Sequence, residues 1–76
     1  MKYTKKAFAE DLLREIDKGF DVVRLARWAM RLYSDRVRDL DAGVKDAMMD
    51  VVVMEEGPEF EMTEQELREF AERLMA

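Results

Sequence analysis

Histidine and cysteine are both absent from this chain; serine occurs once, proline once and glycine three times in 76 residues. Each shortage removes a class of chemistry. Without histidine there is no imidazole for general acid–base work or metal ligation. Without cysteine there is neither a thiolate nucleophile nor a disulfide, which fits a reducing compartment. Three glycines are too few for a phosphate-cradling loop, and neither GxGxxG nor GxxxxGK[ST] occurs. A carboxylate-only enzyme would still need an enclosed pocket, which a domain this small rarely provides. The expectation is a non-enzymatic protein with no catalytic residues and no cofactor.

Long apolar runs are missing too. Met1 is followed by Lys2, Lys5 and Lys6, but no hydrophobic stretch follows them. The sequence therefore predicts no secretory leader and no membrane span, with the cytoplasm as the default. The length sets one domain, residues 1–76, burying about 60% of its unfolded surface. With no disulfide to help, such a core is marginal, and association with a second copy is a common remedy.

What is present is apolar and charged in nearly equal measure, at 49% and 41%. That suits helices with one buried and one solvated face. Thr4 to Lys18 reads as a first helix, with Thr4 as its N-cap, Phe8, Leu12 and Ile16 on one face, and Gly19 closing it. Asp21 caps a second helix. Its buried face is expected to run through Val22, Ala26, Ala29, Tyr33, Val37 and Leu40, about five turns, widened by Leu25, Met30 and Leu32. A turn at Asp39, Asp41 and Gly43 follows, with Asp41 capping the third helix. There Val44, Ala47, Met48, Val51 and Met54 recur at helical spacing, despite three β-branched valines at 51–53. Gly57-Pro58 ends that helix. Thr63 and Glu66 form a capping box for the fourth, flanked by Met62 and Leu67 at the staple positions, with Phe70, Ala71 and Leu74 completing its apolar stripe. The reading is all-α: a small bundle of four short helices.

Charge is polarised along the chain. Residues 1–38 hold ten Lys/Arg against six Asp/Glu, a balance of +4, and residues 39–76 hold three against twelve, a balance of −9. Two candidate surfaces follow. The acidic one is Glu55, Glu56 and Glu59 with Phe60. Glu61, Glu64 and Glu66 lie near the positive end of the fourth helix, which accounts for them locally. Phe60 is expected to be buried, turning Glu59 and Glu61 outward. If exposed, it would be an aromatic anchor in an acidic rim. The four glutamates 55, 56, 59 and 61 carry hard oxygen ligands, but the calcium-loop pattern D-x-[DN]-x-[DN]-G is absent, so they read as a solvated acidic loop and no metal site is expected.

The basic candidate is a stripe of Arg24, Arg27, Arg31 and Arg38 on the second helix, with Trp28 at its border. Trp28 stands within cation–π reach of Arg24 and Arg31 by spacing. Such a face could take phosphate or an acidic protein, or pair with the acidic half of its own chain. A net charge of −5 opposes the long-range attraction of nucleic acid, which ranks below a protein partner. Met30, Met48, Met49, Met54 and Met75 could line an adaptable groove, a core or a dimer seam.

The segments Arg27-Trp28-Ala29-Met30-Arg31-Leu32-Tyr33 and Met54 to Leu67, of the form MEEGPEFE-x-[ST]-x-x-EL, resemble those of a group of short, uncharacterised bacterial proteins. The likeness spans Val23 to Leu74 and implies a small helical fold. In size, helicity and acidity the chain is also similar in type to the small bacterial immunity proteins that neutralise bacteriocin nucleases, without a shared motif. The expected function is therefore a protein-interaction module with an acidic C-terminal half, immunity- or antitoxin-like. The alternatives are nucleic-acid binding through the arginine face, or a homodimeric structural protein.

Overall fold

A computed structural model describes residues 2–76. It shows four α-helices: α1 (Lys5–Asp17), α2 (Val22–Arg36), α3 (Val44–Val52) and α4 (Glu64–Met75), with 3-10 turns at Val53–Glu55 and Pro58–Phe60. Helix α1 packs on α4 and on α3, and α2 packs on α3 and on the first 3-10 turn. There is no strand among the described residues. The one β-type contact is an isolated parallel bridge between Tyr3 and Leu40.

Helix starts follow local chemistry. The Thr4 hydroxyl accepts from the Ala7 amide at 3.0 Å, and Asp21 accepts from the Arg24 amide at 3.0 Å. At α4 both halves of the capping box form: Thr63 accepts from the Glu66 amide at 3.1 Å, and the Thr63 amide donates to Glu66 at 2.9 Å. Each interaction satisfies a donor that the first helical turn leaves unpaired. Met62, at the preceding position, packs against the core beside fully buried Leu67.

The stripe Phe8, Leu12 and Ile16 is buried, as are Leu25, Ala26 and Ala29 of α2, Val44, Ala47, Met48 and Val51 of α3, and Leu67 and Ala71 of α4. Helical geometry does continue through Val51 and Val52, so the β-branched run does not form a strand. It tightens to a 3-10 turn at Val53 that keeps Met54 inside. The next residue to turn is Pro58, at the first position of the second 3-10 turn. Gly57 before it has φ 174°, extended backbone open to any residue. Proline geometry, not a left-handed glycine, separates the turns.

Three local expectations are corrected. Helix α2 ends at Arg36, not near Leu40. The chain leaves it because the backbone around Leu40 is claimed by the N-terminal segment: the Tyr3 amide donates to Asp39 O at 2.8 Å and the Asp41 amide donates to Tyr3 O at 3.0 Å. Asp41 does not cap α3. Its carboxylate accepts from the Ala42 amide, and Gly43 takes the cap position with φ 82°, a left-handed conformation that glycine adopts without strain. Met30 and Val37, read as part of the core face, are 45% and 49% exposed.

Replacing Thr63 with alanine removes one half of the capping box. It should lower stability by about 1 kcal/mol, read as a lower urea midpoint at unchanged slope, while Thr63→Ser should lose much less.

Candidate functional site

The two charged candidates meet at one cleft. It has a volume of about 320 Å3 and lies where α2 passes the end of α3 and the first 3-10 turn. Arg27, Met30, Arg31 and Ser34 line it from α2, Val52 from α3, and Glu55 and Glu56 from the turn region. Apolar Met30 and Val52 thus lie in a cleft with two guanidiniums from one element and two carboxylates from another. Arg27 Nε stands 4.0 Å from Glu55 Oε1, and the Arg27 side chain is 72% exposed. An ion pair so long and so wet contributes little to the fold.

The remaining arginines of the stripe are elsewhere. Arg24 is a structural clamp. Its guanidinium pairs with Glu15 at 2.9 Å and donates to the Glu15 and Gly19 carbonyls at 2.6 and 2.7 Å. These are carbonyls at and just past the C-terminal end of α1, where helical partners run out. Lys18 also reaches Glu15, at 2.8 Å. The hydrogen bond from Lys18 is the chief cause that holds the Glu15 carboxyl below the usual glutamate range; partial burial pushes the other way, and Arg24 adds to the lowering. Arg38 lies past the end of α2, exposed in the following turn. The basic face of α2 reduces to Arg27 and Arg31.

Trp28 is half-buried and stacks on Phe8, with ring centroids 5.8 Å apart and planes 10° from parallel. It belongs to the α1–α2 contact, and the cation–π pairs found are Arg36 over Tyr3 at 5.0 Å and Lys45 near Tyr33 at 6.0 Å. The expected pairing of Trp28 with Arg24 or Arg31 gives way to this aromatic stack.

Phe60 is corrected as well. It is 47% exposed, between exposed Glu59 and Glu61. The second 3-10 turn, with Glu59 and Phe60, packs on the first, which ends at Glu55. Among the described residues Glu56, Glu59 and Glu61 make no ion pair, whereas Glu55 leans toward Arg27. The same residues hold no group of three acidic side chains placed to share a metal ion. Among the described residues no helix is long and apolar enough to cross a membrane.

Ser34 and Val52 carry no signal of a surface site in the sequence. The signal that could have found part of this surface is the interval of seven between Val23, Met30 and Val37. Compared with known proteins, the chain matches no family model, no curated protein and no solved structure. The likeness drawn from Met54 to Leu67 therefore names no family for it, and function must be read from the surface.

The Glu15 cluster gives a test of Arg24's structural role. A carboxyl whose folded value is lowered stabilises the fold above its ordinary titration range and loses that contribution as pH falls through the lowered value. Glu15→Gln should destabilise by about 1 kcal/mol at neutral pH, a figure discounted for partial exposure. Urea titrations should show that deficit shrinking toward zero at acid pH, where wild-type Glu15 is itself protonated. A deficit constant with pH would mean that charge plays no part.

Proposed function

We propose that this protein is a binding module without chemistry of its own, and that it holds a basic protein on the acidic corner formed by the two 3-10 turns. The observation that carries this reading is the exposure of Phe60 between Glu59 and Glu61, which pair with no cation among the described residues. A large aromatic ring left in water is a cost to the isolated chain. Set in a charged rim, it has the composition of an interface anchor: a ring to fill an apolar pocket, with charge around it to steer and orient. The lack of histidine and cysteine supports a binding role over a catalytic one.

In type the arrangement is similar to immunity and antitoxin proteins, in which carboxylates occupy a groove that would otherwise hold phosphate. A partner of that kind presents lysine and arginine around an apolar recess. Association would be fast at low salt and slower as salt screens the approach.

The reading is tested with the tagged protein as bait in a bacterial lysate at low salt. A basic protein should be retained, and the retained protein should then be purified for binding kinetics. Glu59→Lys with Glu61→Lys should slow association by about tenfold or more and flatten its salt dependence. Phe60→Ala should mainly speed dissociation. Equal retention by these variants, or an eluate of nucleic acid with no basic protein, counts against the acidic corner as the binding site.

A further inference from the structure

Three of the four large hydrophobic residues left exposed among the described residues lie on α2 or at its end: Val23 at 45%, Met30 at 45% and Val37 at 49%. They stand seven residues apart. Val37 caps α2 with helical backbone, φ −53° and ψ −28°, so it continues the same stripe. Seven residues are nearly two helical turns, so the three side chains form one line along the helix. This is the spacing with which one helix seats another.

The line runs beside the cleft and has different charge on its two sides. At 100° per residue, Met30 lies nearer the buried edge of α2 than Arg27 or Arg31 does. On the other side of the cleft α3 supplies Val52, and the first 3-10 turn with the residue after it supplies Glu55 and Glu56. Across the stripe the order is therefore cation, apolar, anion.

This order selects an occupant. A second copy carries the same three bands, and its orientation decides which bands meet. A two-fold axis running along α2 reverses the direction across the stripe, so the cationic flank of each copy faces the anionic flank of the other. A two-fold axis across α2 preserves that direction and sets arginine against arginine and glutamate against glutamate. Only the parallel arrangement is self-complementary in charge, and it also places Val23, Met30 and Val37 each beside its own symmetry mate. We propose that the α2 stripe and the adjoining cleft seat a second copy of this chain, the two α2 helices parallel, with Arg27 and Arg31 of each copy facing Glu55 and Glu56 of the other. The long Arg27–Glu55 contact within one chain is then exchanged for the equivalent contact between chains. Such an interface is isologous, so it closes at two copies. It leaves Phe60 and Glu59 for the heterologous partner.

Sedimentation equilibrium of the full chain at micromolar to submillimolar concentration should give a mass near twice 9.0 kDa. Met30→Glu should weaken self-association by about thirtyfold or more; because Met30 is exposed, its circular dichroism should stay native. The charge order is tested by two doubly substituted chains, Arg27→Glu with Arg31→Glu, and Glu55→Arg with Glu56→Arg. Each should be monomeric alone, and an equimolar mixture should form a heterodimer. Orientation is read from single cysteines, which the natural chain lacks. Val37→Cys should form a disulfide with its own kind on mild oxidation, and so should Val23→Cys. Cross-linking only between Val23→Cys and Val37→Cys would mean an antiparallel dimer and overturn the proposal. A wild-type monomer at submillimolar concentration, or a dimer indifferent to Met30→Glu, would overturn it equally and leave the stripe to another protein's helix or to nucleic acid.

Discussion

Burial of the Phe8–Leu12–Ile16 stripe is the contact on which the rest of the molecule depends. Helix α1 is the element that touches both α3 and α4, and these three side chains are 0–2% exposed. Each fully buried side chain of this kind contributes about 1.5–3 kcal/mol of transfer free energy. Helix α4 has only twelve residues, too short to persist alone in water, and its stability comes from lying on α1. Helix α2 is fixed mainly through α3, with the Phe8–Trp28 stack and the Arg24 clamp as its links to α1. Truncating any member of the α1 stripe would open a gap in the helix that joins α4 to the rest of the bundle.

The second constraint is polar and sits at the N-terminal end. Tyr3 is 6% exposed. Its backbone bridges to the segment around Leu40, its hydroxyl donates to Asp11, and its ring lies under the Arg36 guanidinium. Asp11 in turn receives Arg14. Burial, followed by the bond to Asp11, raises the Tyr3 phenol well above its ordinary value, so it stays a neutral donor through the physiological range. One residue thereby ties α1, the end of α2 and the approach to α3 together. Apart from the Tyr3 phenol, no polar or charged side chain is buried among the described residues, and none of their buried side-chain polar atoms lacks a partner. The rest of the core is apolar, and specificity of the fold comes from caps and this one edge network.

That division explains what could be read in the sequence. Helix starts are local events, so Thr4, Asp21 and the Thr63–Glu66 box were legible from residue type and spacing alone. So were the buried stripes of α1 and α3 and the Leu67–Ala71 pair of α4, because periodicity is a property of the chain itself; of the face read for α2, Leu25, Ala26 and Ala29 are buried. The end of α2 was not legible, since it is set by hydrogen bonds from Tyr3, thirty-odd positions away. Periodicity also says nothing about whether an apolar residue has a neighbour. Met30 and Val37 have the spacing of core residues but no element covers them, and Phe60 follows a proline that could equally have folded it inward. Among the arginines, spacing put four on one side. Only the structure separates Arg24, held by the α1 carbonyls, from Arg27 and Arg31, which stay in solvent.

The same distinction bears on the charge polarity of the chain. If the basic and acidic halves served only to attract one another, folding would bring them into contact and neutralise both. It does so sparingly: Arg27 comes within 4.0 Å of Glu55 and Arg36 within 3.9 Å of Asp39, whereas the tighter Arg68–Asp17 pair, at 2.8 Å, joins a cation of the acidic half to an anion of the basic half. Apart from the Arg24–Glu15 clamp between α1 and α2, the other pairs found are local, at α1 or within α4. Exposed pairs of this kind contribute about 0–1 kcal/mol each, so the segregation of charge does little for the fold. What it does give is direction. A band of cations beside a band of anions, with apolar side chains between them, fixes how an approaching surface must be turned; a band of unpaired anions around an aromatic ring fixes what sign that surface must carry. The chain carries one arrangement of each kind, and they share only the glutamates at the end of the first 3-10 turn. A surface that meets Glu55 and Glu56 is therefore felt at both, and whatever occupies the α2 cleft changes the charge presented beside Phe60.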